Sequence, residues 1–120
     1  MDNVDNIQKL NNRTINILGS TYTIRVIDDD NNDDELLMDK AGVCDWTTRT
    51  IKIRNYKECP GSVKDIELLT KLILRHEIIH AYLFESGLDD SSDWAWNEEM
   101  VEFFARQFNK MSNTFNSLKI

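Results

Sequence analysis

At 120 residues the chain is the size of one domain, and its 41% hydrophobic content suits a folded core rather than a disordered chain. A net charge of −7 and a pI near 4.7 argue against a nucleic-acid surface, which needs a basic patch, and against attraction to anionic lipid. No apolar run approaches the ~18 residues of a membrane span, and residues 1–10 lack the basic and apolar regions of a signal peptide, so a cytoplasmic protein without nucleic-acid or membrane partners is expected.

Residues 1–13 are rich in Asn and Asp and are expected to fray or to form one helical turn around Val4, Ile7 and Leu10. Residues 14–18 (TINIL) and 21–28 (TYTIRVID) alternate and are β-branched, which predicts a β-hairpin with Gly19-Ser20 as its loop. The acidic run at 28–35 is expected to be a solvated loop. Asp28, Asp30 and Asn32 have the spacing that opens a calcium loop, but Asp33 stands where glycine is needed and Asp39 where glutamate is needed.

Residues 36–41 suit a turn, and residues 42–46 with Thr50–Asn55 suit a second strand pair. In the latter strand Ile51 and Ile53 share one face while Lys52 and Arg54 share the other. That pattern predicts a sheet packed on helices, with this strand at its edge. Cys44 and Cys59 have no close partner cysteine and are expected to be reduced thiols. A site of both cysteines and both histidines is the weaker alternative.

Cys59-Pro60-Gly61 ends the sheet. Ser62 suits a helix cap, with Asp65 three residues later, and predicts a helix over 63–86 stopped by Gly87. Leu69, Leu72, Ile73, Ile79 and Leu83 form its apolar stripe, and His76 and His80 sit within it. Asp93 suits the cap of a second helix over 94–111, whose stripe is Trp94, Val101, Phe104, Ala105, Phe108 and Met111. Residues 112–120 are expected to be loose. The fold class expected is therefore α+β, a small sheet of three or four strands packed on two helices.

The stretch His76-Glu77-Ile78-Ile79-His80 contains the only two histidines of the chain, in the pattern H-E-x-x-H. On a helix their imidazoles lie one turn apart on one face and can hold a single zinc ion, while Glu77 flanks the metal as a general base for water. A catalytic zinc needs a third protein ligand. Glu98 falls in the stripe of the second helix, where a carboxylate is costly unless a cation neutralises it, and is the geometric choice over Glu99. Glu102, one turn on, can orient a ligating imidazole or pair with Arg106.

These residues resemble the gluzincin zinc metallopeptidases, in which H-E-x-x-H is followed by a glutamate on a later helix. Asn97-Glu98 through Glu102-Phe103-Phe104-Ala105 is most similar to the small ImmA/IrrE-type peptidases and related prophage-encoded proteins. This chain has Glu102 where those carry asparagine and thermolysin-like enzymes carry aspartate. The resemblance implies a compact zincin-like domain over 1–120, one catalytic zinc, and hydrolysis of peptide bonds in a protein or peptide substrate, a regulatory protein being one candidate. It also implies that Thr50, Ile51, Lys52, Ile53 and Arg54 form the strand to which substrate adds. Tyr56, Tyr82 and Arg106 are the candidates to steady an oxyanion. The competing expectations are a zinc-stabilised interaction protein without turnover, and a prophage structural or adaptor protein carrying the motif by chance.

Overall fold

The computed structural model describes residues 7–30 and 34–120. Strand β1 (Thr14–Ile17) turns into β2 (Ser20–Asp28) through Leu18-Gly19, one residue earlier than expected. Both loop residues have positive φ, 50° and 93°, the mirror-image turn whose twist matches that of paired strands. The Asn16 side chain accepts the Gly19 N–H at 2.9 Å and fixes the turn.

Strands β3 (Gly42–Asp45) and β4 (Thr50–Asn55) form the second hairpin. The sheet order is β1-β2-β4-β3, with β2 and β4 parallel and the other pairs antiparallel. This is the expected α+β class, but β4 is an inner strand and not an edge. Ile51 and Ile53 are fully buried on its inner face. Lys52 pairs with Asp34 at 2.8 Å, and Arg54, also buried, donates to the carbonyls of Asp28, Asp29, Met38 and Lys40. Both cations thus tie the connection between β2 and β3 to the sheet rather than blunting an edge. Asn32 and Asp33 of the acidic run lie outside the described residues, as does Val4. Ile7 is buried in the core and Leu10 packs against it, so residues 7–10 are anchored, in the helical turn expected as the alternative to fraying.

Helix α1 (Ile66–Glu85) starts later than expected, because Asp65 and not Ser62 accepts the first-turn N–H, that of Leu68, at 3.0 Å. Its end is as expected, with Gly87 at φ 81°. Leu74 and Ala81 press against Ile24, Ile51 and Ile53 of the sheet. Leu83, with Ile79 beside it, faces Val101 and Ala95 across the helix pair. The helix is thus covered on two sides, which is why its apolar residues run more than halfway round and a single stripe described them poorly. At its last turn the Glu85 carboxylate accepts from Tyr22 Oη (2.8 Å), Ser20 Oγ (2.9 Å) and Arg49 Nε (3.3 Å), pinning the helix to the sheet.

The chain reverses through short 3-10 turns at Leu88–Asp90 and Asp93–Trp96 before helix α2 (Glu98–Ser117). Asn97, not Asp93, caps α2, its side chain accepting the Met100 N–H at 2.8 Å. The helix continues to Ser117, so residues 112–117 are helical rather than loose. None of the helices described is long and apolar enough to cross a membrane.

Leu18 stands 60% exposed in a left-handed conformation that asparagine adopts more readily. Leu18→Asn is expected to stabilise the protein by about 1 kcal/mol in urea denaturation. An unchanged or lowered midpoint would contradict this account of the turn.

Candidate metal centre

One helical turn sets the His76 and His80 rings 4.9 Å apart, centre to centre. Because Asn97 caps α2, Glu98 is the first residue of that helix and its side chain reaches back across the helix pair. Its Oε1 lies 2.7 Å from His80 Nε2 and its Oε2 lies 3.1 Å from His76 Nε2. A ligand atom from each of the three residues lies within 4.8 Å of the others. Glu99, next in the helix, is exposed and makes no such contact.

The expectation that Glu98 is buried does not hold. Its side chain is 67% exposed, against 18% and 12% for the imidazoles. The carboxylate closes the site from the solvent side, where an acid costs little to place and a favourable helix N-terminus holds it. Burial lowers the His80 pKa, partly offset by Glu98, and keeps that ring in the neutral form that ligates metal.

Glu77 is the buried acid of the group, 9% exposed. It faces β3, where the chain passes so close that a Cβ on Gly42 would lie 3.1 Å from both Glu77 Cγ and Oε2 and 2.9 Å from Ile73 Cγ2. Among the described residues its carboxylate accepts no hydrogen bond. Burial pushes its pKa up to about 7, with His76 pulling it down, Glu98 raising it and Lys40 lowering it. A carboxylate poised near neutral pH suits proton transfer.

Glu102 Oε1 sits between His76 Nδ1 at 3.7 Å and Arg106 Nε at 3.6 Å. It therefore approaches both partners considered for it. The atom is buried and has no hydrogen-bond partner. An unsatisfied buried acceptor beside an imidazole N–H is what a ring turned slightly on binding metal would satisfy. With two imidazoles, one carboxylate and this orphan oxygen, the donor set fits a zinc ion.

The cleft around these groups is about 320 Å³ and is lined by Gly42, Leu69, Ile73, Glu77, Glu98 and Arg106 among others. Of the residues expected to steady an oxyanion, Arg106 alone lines it. Tyr82 lies on the opposite side of α2, in an apolar groove with Ile78 and Phe108, because it is some 120° around α1 from His76. Tyr56 follows β4 and lines neither cleft. The inner position of β4 also removes residues 50–54 as the strand to which substrate adds, since both its edges are already paired. The strand beside the cleft is β3, which among the described residues is paired on one side only. The Arg54 N–H donates to Ala41 O, so antiparallel alternation turns the N–H and C=O groups of Gly42 and Cys44 outward.

Sequence reasoning missed Gly42. A glycine opening a strand signals close backbone approach, and that was the available clue. The cysteines stand apart from the metal-capable group. Burial pushes the Cys44 thiol up to about 12, which leaves it a neutral, poor ligand. Compared with protein-family models, curated proteins and solved structures, the chain gives no match.

Two outcomes follow for the metal-free protein. The raised Glu77 pKa favours the protonated folded state, so its contribution to stability is full below the unfolded carboxylate value of 4.5 and is lost as pH rises through about 7. In chelator, Glu77→Gln is therefore expected to exceed the wild type in stability at pH 8 by up to roughly 3 kcal/mol, the gap closing by pH 4.5. A gap independent of pH would show that burial does not set this titration. Gly42→Ala is expected to cost about 1–3 kcal/mol in the same assay, since strand or helix must move to admit the methyl group.

Proposed function

We propose that this protein is a zinc-dependent metallopeptidase. The observation that carries the reading is the convergence of His76, His80 and Glu98 within 4.8 Å, with the buried Glu77 carboxylate, which accepts no hydrogen bond among the described residues, on the same helix turn. A purely structural metal site has no use for that fourth group, whose burial is costly and unrewarded.

His76, His80 and Glu98 would hold the ion. Bound zinc supplies Lewis acidity, polarising a carbonyl and making water more acidic. Glu77 takes the proton from the attacking water and delivers it to the leaving nitrogen. Arg106, at the rim beside Glu102, is the cation placed to stabilise negative charge on the carbonyl oxygen. Glu102 orients the His76 ring. The free edge of β3 aligns an extended substrate by main-chain hydrogen bonds, with Gly42 letting it lie close to Glu77.

Metal analysis of purified protein tests the site. One zinc per chain is expected for the wild type and loss of stoichiometric zinc for His76→Ala. A wild type that takes up no transition metal would sink the proposal. Glu77→Gln is expected to keep its zinc while peptide cleavage falls about 10²–10⁴-fold. Cleavage at the wild-type rate by that variant would remove Glu77 from the role of base. A protein that binds zinc tightly and cuts no peptide would point instead to the stapling role.

A further inference from the structure

Past His80, and outside the lining of the cleft, lie three more rings. Phe84, one turn after His80 on α1, stacks on that imidazole with centroids 6.1 Å apart and planes 21° apart. Trp96 meets Phe84 edge-on at 5.4 Å, and Trp46 lies on its other side at 6.4 Å. Phe84 is half-buried, yet the two tryptophans that flank it are 54% and 50% exposed. Each leaves on the order of 100 Å² of ring surface in water, open to an apolar side chain.

The rings are held rather than loose. The Trp96 indole N–H donates to Asp89 O at 2.7 Å. The turn that carries Trp46 is fixed by Asp45, which accepts from the Thr47 N–H and the Thr48 hydroxyl at 3.1 and 2.8 Å. Rigid aromatic walls lose little freedom when a ligand is bound, so they are suited to recognition.

Their position relates them to the proposed chemistry. β3 leads from Gly42, against Glu77, to Asp45, and Trp46 follows directly. Alternation along the strand puts Gly42 and Cys44 on the face turned to α1, and Trp46, in the turn that follows, meets the Phe84 ring of that helix. A peptide extended along the outer edge of β3 advances about 3.4 Å per residue. The 6.1 Å from the His80 ring to the Phe84 ring is thus covered by one or two residues.

We propose that Phe84, Trp46 and Trp96 form an apolar side-chain subsite next to His80, and that the substrate is an extended peptide with a bulky apolar residue, aromatic or leucine-like, within two positions of the bond cut. The inference rests on the peptidase reading for the cut, but not for the binding.

Two measurements separate the readings. In the Glu77→Gln protein, with and without zinc, intrinsic tryptophan fluorescence follows titration with paired peptides that differ only by Phe or Gly at one position. The Phe peptide is expected to shift the emission and to bind at least tenfold more tightly. Trp46→Ala and Trp96→Ala, both at half-exposed positions, are each expected to reduce that ratio below threefold, with Phe84→Leu as a third variant should either fail to fold. Separately, wild-type zinc-loaded protein acts on a mixed peptide library, where bulky apolar residues are expected within two positions of the cuts. Cuts without apolar enrichment, or equal binding of the paired peptides, would overturn the subsite while leaving the peptidase standing. Selective binding with no cleavage would keep the subsite and sink the peptidase reading.

Discussion

The packing of α1 between the sheet and α2 is the constraint on which the rest of the molecule depends. Leu74 and Ala81 anchor it to Ile24, Ile51 and Ile53, while Leu83 with Ile79 anchors α2 through Val101. A helix held on two sides has two seams where its remaining surface meets the neighbouring elements. With 100° between successive residues, the seam between α2 and β3 receives His76, His80 and Glu77. The opposite seam receives Ile78 and Tyr82 and becomes an apolar groove. The Glu85 clamp to Tyr22, Ser20 and Arg49 fixes the rotation of the helix, and with it which residues fall in which seam.

The two carboxylates at the centre of the site are placed in opposite environments. Glu98 stands in solvent at a helix N-terminus, where its charge costs little, and bridges both imidazoles. Glu77 is enclosed under the backbone of Gly42, where burial raises its proton affinity. Two acids of the same chemistry are thereby divided into one that reaches both imidazoles from the solvent side and one whose proton affinity is raised by burial. The division is made by solvent access, not by residue type. The same principle distinguishes the cations. Arg54 is spent on loop carbonyls, and Arg106 stays at the rim of the cleft beside Glu102.

Several features misled in ways that are informative. Lys52 and Arg54 on one face of a strand show that this face is not core. They do not show whether the edges of the strand are paired, because face and edge are perpendicular properties of a sheet. β4 lies inside because the β3–β4 hairpin folds back with β4 against β2, a pairing between residues about 27 positions apart that no local pattern encodes. The caps shifted for a related reason. Ser62, Asp65, Asp93 and Asn97 are all competent cap residues, and the choice between them depends on where tertiary packing lets the helix begin.

The sequence by itself determined the local chemistry: the strands, the helix carrying H-E-x-x-H, its stop at Gly87, and the pair of imidazoles one turn apart. All of these follow from periodicity or from backbone preference within a few residues. It also pointed to Glu98, whose carboxylate does lie beside both imidazoles, but by a wrong argument, since the side chain is exposed rather than buried. Only the tertiary structure decided that Gly42 lies against Glu77, that β3 and not β4 offers the free edge, that Tyr82 faces away from the cleft, and that Trp46, Phe84 and Trp96 meet beside His80. Those residues lie far apart in the chain, and their meeting depends on strand order and helix rotation, which are set by burial summed over the whole core and not by any one stretch of sequence.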